Sequence, residues 1–180
     1  MWLLVLLLCA AAGMGLATPA ALANGDPASY VLVTKDVYTP TDPAPPDLVR
    51  QLKEAAARAQ RSGYPTKVAV VRGKLDLGNV PQALRAPQQY ADYLVSDLHG
   101  PSAVKEDFAL LVVTPAGAGI AGKDFNSGER QAARTIHVSN GSSSGELVRA
   151  ATVTLERMAA AGGRSIGGAE PTRAGDPAVS

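Results

Sequence analysis

The sequence predicts an α/β domain: a three-layer sandwich whose helices cover both faces of a mixed, mostly parallel sheet of three to five strands. Two continuous apolar runs of strand length, Lys67 to Arg72 (KVAVVR) and Phe108 to Thr114 (FALLVVT), point there. Neither alternates apolar with polar, which is the pattern of parallel strands covered on both sides. Around them lie segments with apolar residues at helical spacing. Strands alternating with helices are the mark of βαβ units.

The first 23 residues, MWLLVLLLCAAAGMGLATPAALA, carry no charged side chain and end on Ala21-Leu22-Ala23. An apolar run, small residues and an A-x-A site together read as a secretory signal peptide cleaved after Ala23. An uncleaved N-terminal anchor is the alternative, because about 20 apolar residues span a bilayer. Export follows in either case. Cys9 is the only cysteine, and it lies in this leader. Residues 24–162, the expected domain, therefore hold no thiol, which excludes disulfides, cysteine nucleophiles and thiolate metal sites.

Tyr30 to Tyr38 (YVLVTKDVY) is β-branched and aromatic and predicts the first strand. TPTDPAPPD follows, and its four prolines impose an extended loop. Pro46-Asp47 opens a helix to about Ser62, with Leu48, Leu52, Ala55, Ala56 and Ala59 as its buried stripe and Gly63 as its stop. Arg50, Lys53, Arg58 and Arg61, with Glu54 among them, read as the solvated face of that helix. After KVAVVR, the segment GKLDLGNVP is a loop. A helix from Pro87 to about Leu98 places Tyr90, Leu94 and Leu98 in the core and closes at His99-Gly100. FALLVVT belongs at the sheet centre and leads into a glycine-rich hairpin and the polar stretch KDFNSGERQAAR. Thr135 to Val138 (TIHV) predicts a brief edge strand. A last helix, Ser144 to Ala161, buries Leu147, Ala151, Leu155 and Met158. Residues 163–180 have no periodicity and are expected to be a disordered tail.

Composition narrows the function. The chain is 46% hydrophobic and 18% charged with a net charge of +1, so it lacks the basic excess of a nucleic-acid binder. Aromatic residues make up 4%, and the only Trp is in the leader, which leaves no stacking platform for bases.

Two motifs mimic active sites. Gly117 to Lys123 matches G-x-x-x-x-G-K, but a phosphate-binding loop needs a magnesium-ligating hydroxyl next, and Asp124 stands there. The glycines read instead as a turn between two strands. Gly141 to Gly145 (GSSSG) matches the nucleophile elbow of hydrolases, whose histidine follows the serine. Here His99 and His137 both precede Ser143, and Ser143 with Glu146 reads as a helix capping box. The two histidines alone make no zinc site. Carboxylates carry what chemistry remains. Asp36 and Asp76 are expected at strand ends, where ligands of open α/β sheets sit, and oxygen donors suit Ca²⁺ or Mg²⁺. Asp76-Leu77-Gly78 reads equally well as a turn.

With these residues in place, the chain resembles the TPM-domain family of exported bacterial and thylakoid-lumen proteins. The likeness covers roughly Ser29 to Gly163. It is carried by YVLVTKDVY, ARAQRSGYP, TKVAVVRGKLDLG, PQQYADYLVSDLHG and DFALLVVTPAGAGIAG. The resemblance implies a mixed α/β sandwich outside the cytoplasm, in a family described as containing acid phosphatases, Ca²⁺ binders and accessory factors. It places Asp36 and Asp76 with the family's acidic residues above the sheet, and Asp107 at the polar pair before the third strand. The chain departs from the family in lacking a second membrane segment and in its sparse acidic cluster. The expected role is non-catalytic binding or accessory work in the cell envelope, with an envelope protein or cell-wall component as partner and no residue assigned to catalysis. Membrane contact is expected only through the N-terminal segment. The alternative is a phosphatase-like hydrolase using Ca²⁺ or Mg²⁺ held by Asp36, Asp76 and Asp107.

Overall fold

β1 (Val37–Tyr38), β2 (Thr66–Val70) and β3 (Ala109–Thr114) run parallel, and β4 (Gly117–Ala121) folds back antiparallel on β3. They form one sheet in the order β1-β2-β3-β4, with Val37, Val68, Leu111 and Ile120 abreast. The computed structural model describes residues 25–100, 104 and 106–167. The expected leader lies outside these residues, as does the chain beyond 167.

Every residue of β2 and β3 is buried, as their unbroken apolar runs require. Val68, Val70, Leu111 and Val113 point to one face. There they pack on α2 (Pro46–Arg61) and α5 (Ser144–Ala161), through Leu52, Ala55, Leu155 and Met158. Ala69, Val71, Leu110 and Val112 point the other way, to α1 (Pro27–Leu32) and α3 (Pro87–His99), meeting Leu32, Tyr90, Leu94 and Leu98. Burying each of these larger side chains stabilises the fold by roughly 1.5–3 kcal/mol. The expected α/β class, with a mixed and mostly parallel sheet between helices, is what forms.

The connections are unusual. β1 passes to β2 through α2, and β2 passes to β3 through α3, both steps running the same way across the sheet. Because α2 and α3 cover opposite faces, the two crossovers have opposite hand, and one departs from the right-handed rule. The chain leaving β1 therefore diverges from the chain leaving β2. The divergence falls at the carboxyl ends of the two strands, the usual ligand position in open α/β sheets.

Several sequence expectations change. Tyr30 to Tyr38 is no continuous strand: α1 occupies its first part and β1 is only Val37–Tyr38. The Asp26 carboxylate accepts from the Ala28 and Ser29 amides and Pro27 sits in the first turn, so local capping outweighs the β propensity of the residues that follow. The polar stretch after β4 contains α4 (Ser127–Arg134), started by a capping box of Asn126 and Glu129. Residues 135–138 form no strand, although Ile136 and Val138 still pack on the core. GKLDLGNVP holds a 3₁₀ turn, Lys74–Leu77, with a second at Pro81–Arg85. Nor does the folded chain stop at 162: Ile166 is buried and its carbonyl accepts from Arg58 Nε at 2.7 Å. Arg58 also meets Glu156 at 3.1 Å, so this member of the expected solvated face fastens the chain end to α2.

The amino end of α3 lies against β4. Gln88 acts there as a surrogate strand, its amide nitrogen donating to the Ile120 carbonyl at 2.8 Å and its oxygen accepting from the Ile120 amide at 3.1 Å. This closes part of an edge that would otherwise invite pairing with another chain.

Asp26 also fastens α1 to α3. Buried to 3% exposure, it receives the Tyr90 hydroxyl on Oδ1 at 2.8 Å and Oδ2 at 2.6 Å. Burial raises its carboxyl above the ordinary 3.8; the Tyr90 hydroxyl and two backbone amides oppose this, and the Asp97 charge adds to it. The folded state thus holds the proton to higher pH than the unfolded chain. That contribution is complete below the unfolded pKa and is lost as pH rises through the folded one. Asp26→Asn keeps an acceptor for the helix cap and cannot ionise. Its stability relative to the parent should therefore improve in thermal melts as pH rises past the ordinary carboxyl value of 3.8, and level off once the folded carboxyl has ionised. A difference that stays constant with pH would contradict the assignment.

Candidate functional site

The exits of β1 and β2 are joined through Asp76. Only 2% exposed, it accepts from the Thr41 amide on Oδ1 at 2.7 Å. Its Oδ2 accepts from the Arg72 and Gly73 amides, each at 2.9 Å. Thr41 lies on the chain leaving β1 and the other two on the chain leaving β2. One carboxylate thus laces together the diverging chains. Tyr38, whose hydroxyl reaches the Asp76 carbonyl at 3.5 Å, is pushed up to about 12 by burial and by the Asp76 charge, which keeps it a neutral donor.

A second tie runs outside the first. Arg72 Nη1 meets Asp42 Oδ2 at 2.8 Å, and the same oxygen accepts from Ser144 Oγ at 3.0 Å. These contacts join the β1 exit, the β2 exit and the start of α5. Beside them opens a cleft of about 790 Å³ lined by Arg72, Leu84, Arg85, Pro115, Ala116, Ser139 and Asn140. It lies at the carboxyl ends of β2 and β3, and an adjoining hollow of about 520 Å³ shares Leu84 and Arg85 and adds Lys74. A separate concavity of about 920 Å³ between α1 and α3 includes Asp26, which is already held by Tyr90.

The expected metal residues are not brought together. Asp36 precedes β1, so it stands at the amino end of the sheet and not the carboxyl end. Its carbonyl accepts from the Val68 amide at 2.8 Å, and its carboxylate pairs with Lys67 at 3.6 Å. Asp107 is exposed just before β3, also at the amino end. Asp76 alone lies at the carboxyl end. Among the described residues no group of three or more His, Cys, Asp or Glu is placed to hold a metal ion. Asp76 itself is ringed by backbone N–H groups, whose partial positive charge suits an anion already in place and opposes a cation. The residues do not fit a shared Ca²⁺ or Mg²⁺ site.

Both mimic motifs have structural roles. Thr114 and Gly117 pair across a two-residue turn at Pro115-Ala116, so the glycines fall inside β4 and not in the turn itself. Lys123 lies over the Tyr64 and Phe125 rings, at 5.0 and 4.9 Å, and pairs with Glu129 at 2.8 Å. Glu129 is 1% exposed and also accepts from the Tyr64 hydroxyl at 2.7 Å and the Asn126 amide at 2.8 Å. Burial alone would raise its carboxyl, but Lys123 and these donors outweigh it and hold the group below its ordinary value. Ser143 caps α5 as expected: its hydroxyl accepts from the Glu146 amide at 3.3 Å, and Glu146 accepts from the Ser143 amide at 2.7 Å.

Asp42, Arg85, Ser139 and Asn140 were not singled out by sequence. Asp42 sits in a proline-rich loop and the others in loops or a 3₁₀ turn, where no periodicity marks a residue. The only available signal was positional, through segments expected to follow strands. No family model, curated protein or solved structure matches the chain. Among the described residues no helix is long and apolar enough to cross a membrane.

Proposed function

We propose that this chain is an exported cell-envelope domain with a non-catalytic binding role, and that it engages its ligand in the cleft at the carboxyl end of β2 and β3. The observation that carries this reading is the bracing of the rim. Asp76 and Asp42 are spent on holding three chain segments in place, and the cleft beside them stays open. Rigid walls around an open hollow favour binding, because little side-chain and loop ordering remains to be lost on association. Export rests on the leader sequence, and the envelope setting on the resemblance to TPM-domain proteins.

The test is retention of the purified protein on isolated envelope material, comparing the parent with Ala116→Trp. Ala116 is an exposed residue of the hairpin turn and lines the cleft, so a bulky replacement fills the hollow without entering the core. The expected result is retention of the parent, loss of retention in the variant and an unchanged melting temperature. Equal retention of both proteins would remove the cleft from the function. Metal-dependent turnover of a simple phosphoester, abolished by Asp76→Asn, would replace this reading with the hydrolase alternative.

A further inference from the structure

We infer that the cleft takes a ligand bearing oxyanions, phosphate or carboxylate, gripped by Arg72 and Arg85. This rests on the cleft being the binding face. Arg72, Lys74 and Arg85 line the two adjoining hollows, and no carboxylate is among the lining residues of either. The chain carries a net charge of only +1, with 17 basic and 16 acidic residues, so three cations across two adjoining hollows are a local concentration and not a reflection of overall charge. Asp42 is, among the described residues, the one acidic partner of these cations, and of the three it engages only Arg72. Among the described residues Arg85 and Lys74 make no ion pair.

The chemistry of the walls matches an oxyanion. Asp42, itself anchored by Ser144, meets Arg72 at one nitrogen and steadies the guanidinium, which presents further donors of its planar fork to a ligand. Arginine forks suit the paired oxygens of carboxylate and phosphate better than lysine point charges do. On another wall Ser139 and Asn140 place a hydroxyl and an amide, neutral donors that can complete an anion's hydrogen bonds. Leu84, shared by both hollows, supplies an apolar surface for the rest of the ligand. The second hollow, with Lys74, provides for a second negative group. The ligand class is therefore a molecule or polymer with more than one oxyanion.

The experiment is calorimetric titration of the protein with inorganic phosphate and, separately, with tricarballylate, at low and high sodium chloride. The proteins are the parent, Arg85→Ala and Arg85→Lys. Arg85 is exposed and makes no ion pair among the described residues, so its replacement should leave the melting temperature unchanged. At least one anion should bind in the millimolar range or tighter, more weakly as salt rises. Arg85→Ala should weaken it by about tenfold and Arg85→Lys by less. Binding of phosphate alone identifies a phosphorylated ligand, and binding of tricarballylate alone a carboxylated one. Failure of both anions to bind, or equal affinity in the parent and Arg85→Ala, overturns the inference. Envelope retention that Ala116→Trp abolishes but Arg85→Ala leaves intact overturns it too, while the binding face itself survives.

Discussion

Gly119→Ala should destabilise the protein by about 3 kcal/mol or more, because overpacking against immovable atoms stands at the upper end of such costs. A Cβ at Gly119 would press into the Pro87 carbonyl and lie 2.6 Å from the Gln88 nitrogen. All of these are backbone atoms at the start of α3, so no side chain can swing away. Relief requires α3 to move off β4, which also breaks the two Gln88 bonds to Ile120. Gly122→Ala should be comparably severe, since its φ of +108° disfavours a side chain and a Cβ would collide with the Phe108 carbonyl. Gly141→Ala is the control: nothing lies within 4 Å of its Cβ position, and its effect should fall within about 0.5 kcal/mol. Denaturant melts of the three variants check the ranking. Equal stability of Gly119→Ala and Gly141→Ala would show that α3 does not touch β4 as described.

Asp76→Ala should cost about 3 kcal/mol, lowering the melting temperature by roughly 10 °C for a domain of this size. Three amides lose their acceptor, and each bond to a charged group counts for about 1.5–3 kcal/mol before discounting for partial exposure at the rim. Asp76→Asn keeps one acceptor oxygen and should recover part of the loss. If Asp76→Ala melts within about 1 °C of the parent, the carboxylate does not brace the two chain exits.

The sheet was legible because β2 and β3 are buried on both faces, and that demand writes an unbroken apolar run into the sequence. α2, α3 and α5 were legible because each shows one apolar stripe with a recognisable start or stop. What escaped detection was short and locally capped. α1 has six residues and α4 eight, too few for periodicity to speak over propensity. Their signals were the caps, Asp26-Pro27 and Asn126 with Glu129, inside segments whose β-branched or polar character pointed elsewhere. The error at Asp36 followed directly. With the first strand placed over residues 30–38, Asp36 fell near its carboxyl end; once α1 takes the early part, Asp36 precedes the strand and lies at the opposite end of the sheet from Asp76. Asp76 was correctly located beyond β2, and of its two readings, metal ligand or turn residue, its three backbone bonds support the second. The cleft itself is lined from the β2 exit, a 3₁₀ turn, the β3–β4 turn and the loop before α5, a juxtaposition that no local pattern encodes.

On the reading proposed above, the carboxyl end of the sheet is a braced ligand cleft and not a metal centre. Amide NMR spectra recorded across a calcium titration test it most directly, because the three donors to Asp76 report on any ion that displaces them. The Thr41, Arg72 and Gly73 resonances should stay fixed into the millimolar range of Ca²⁺. Saturable calcium-dependent shifts of those three amides, absent in Asp76→Asn, would contradict it.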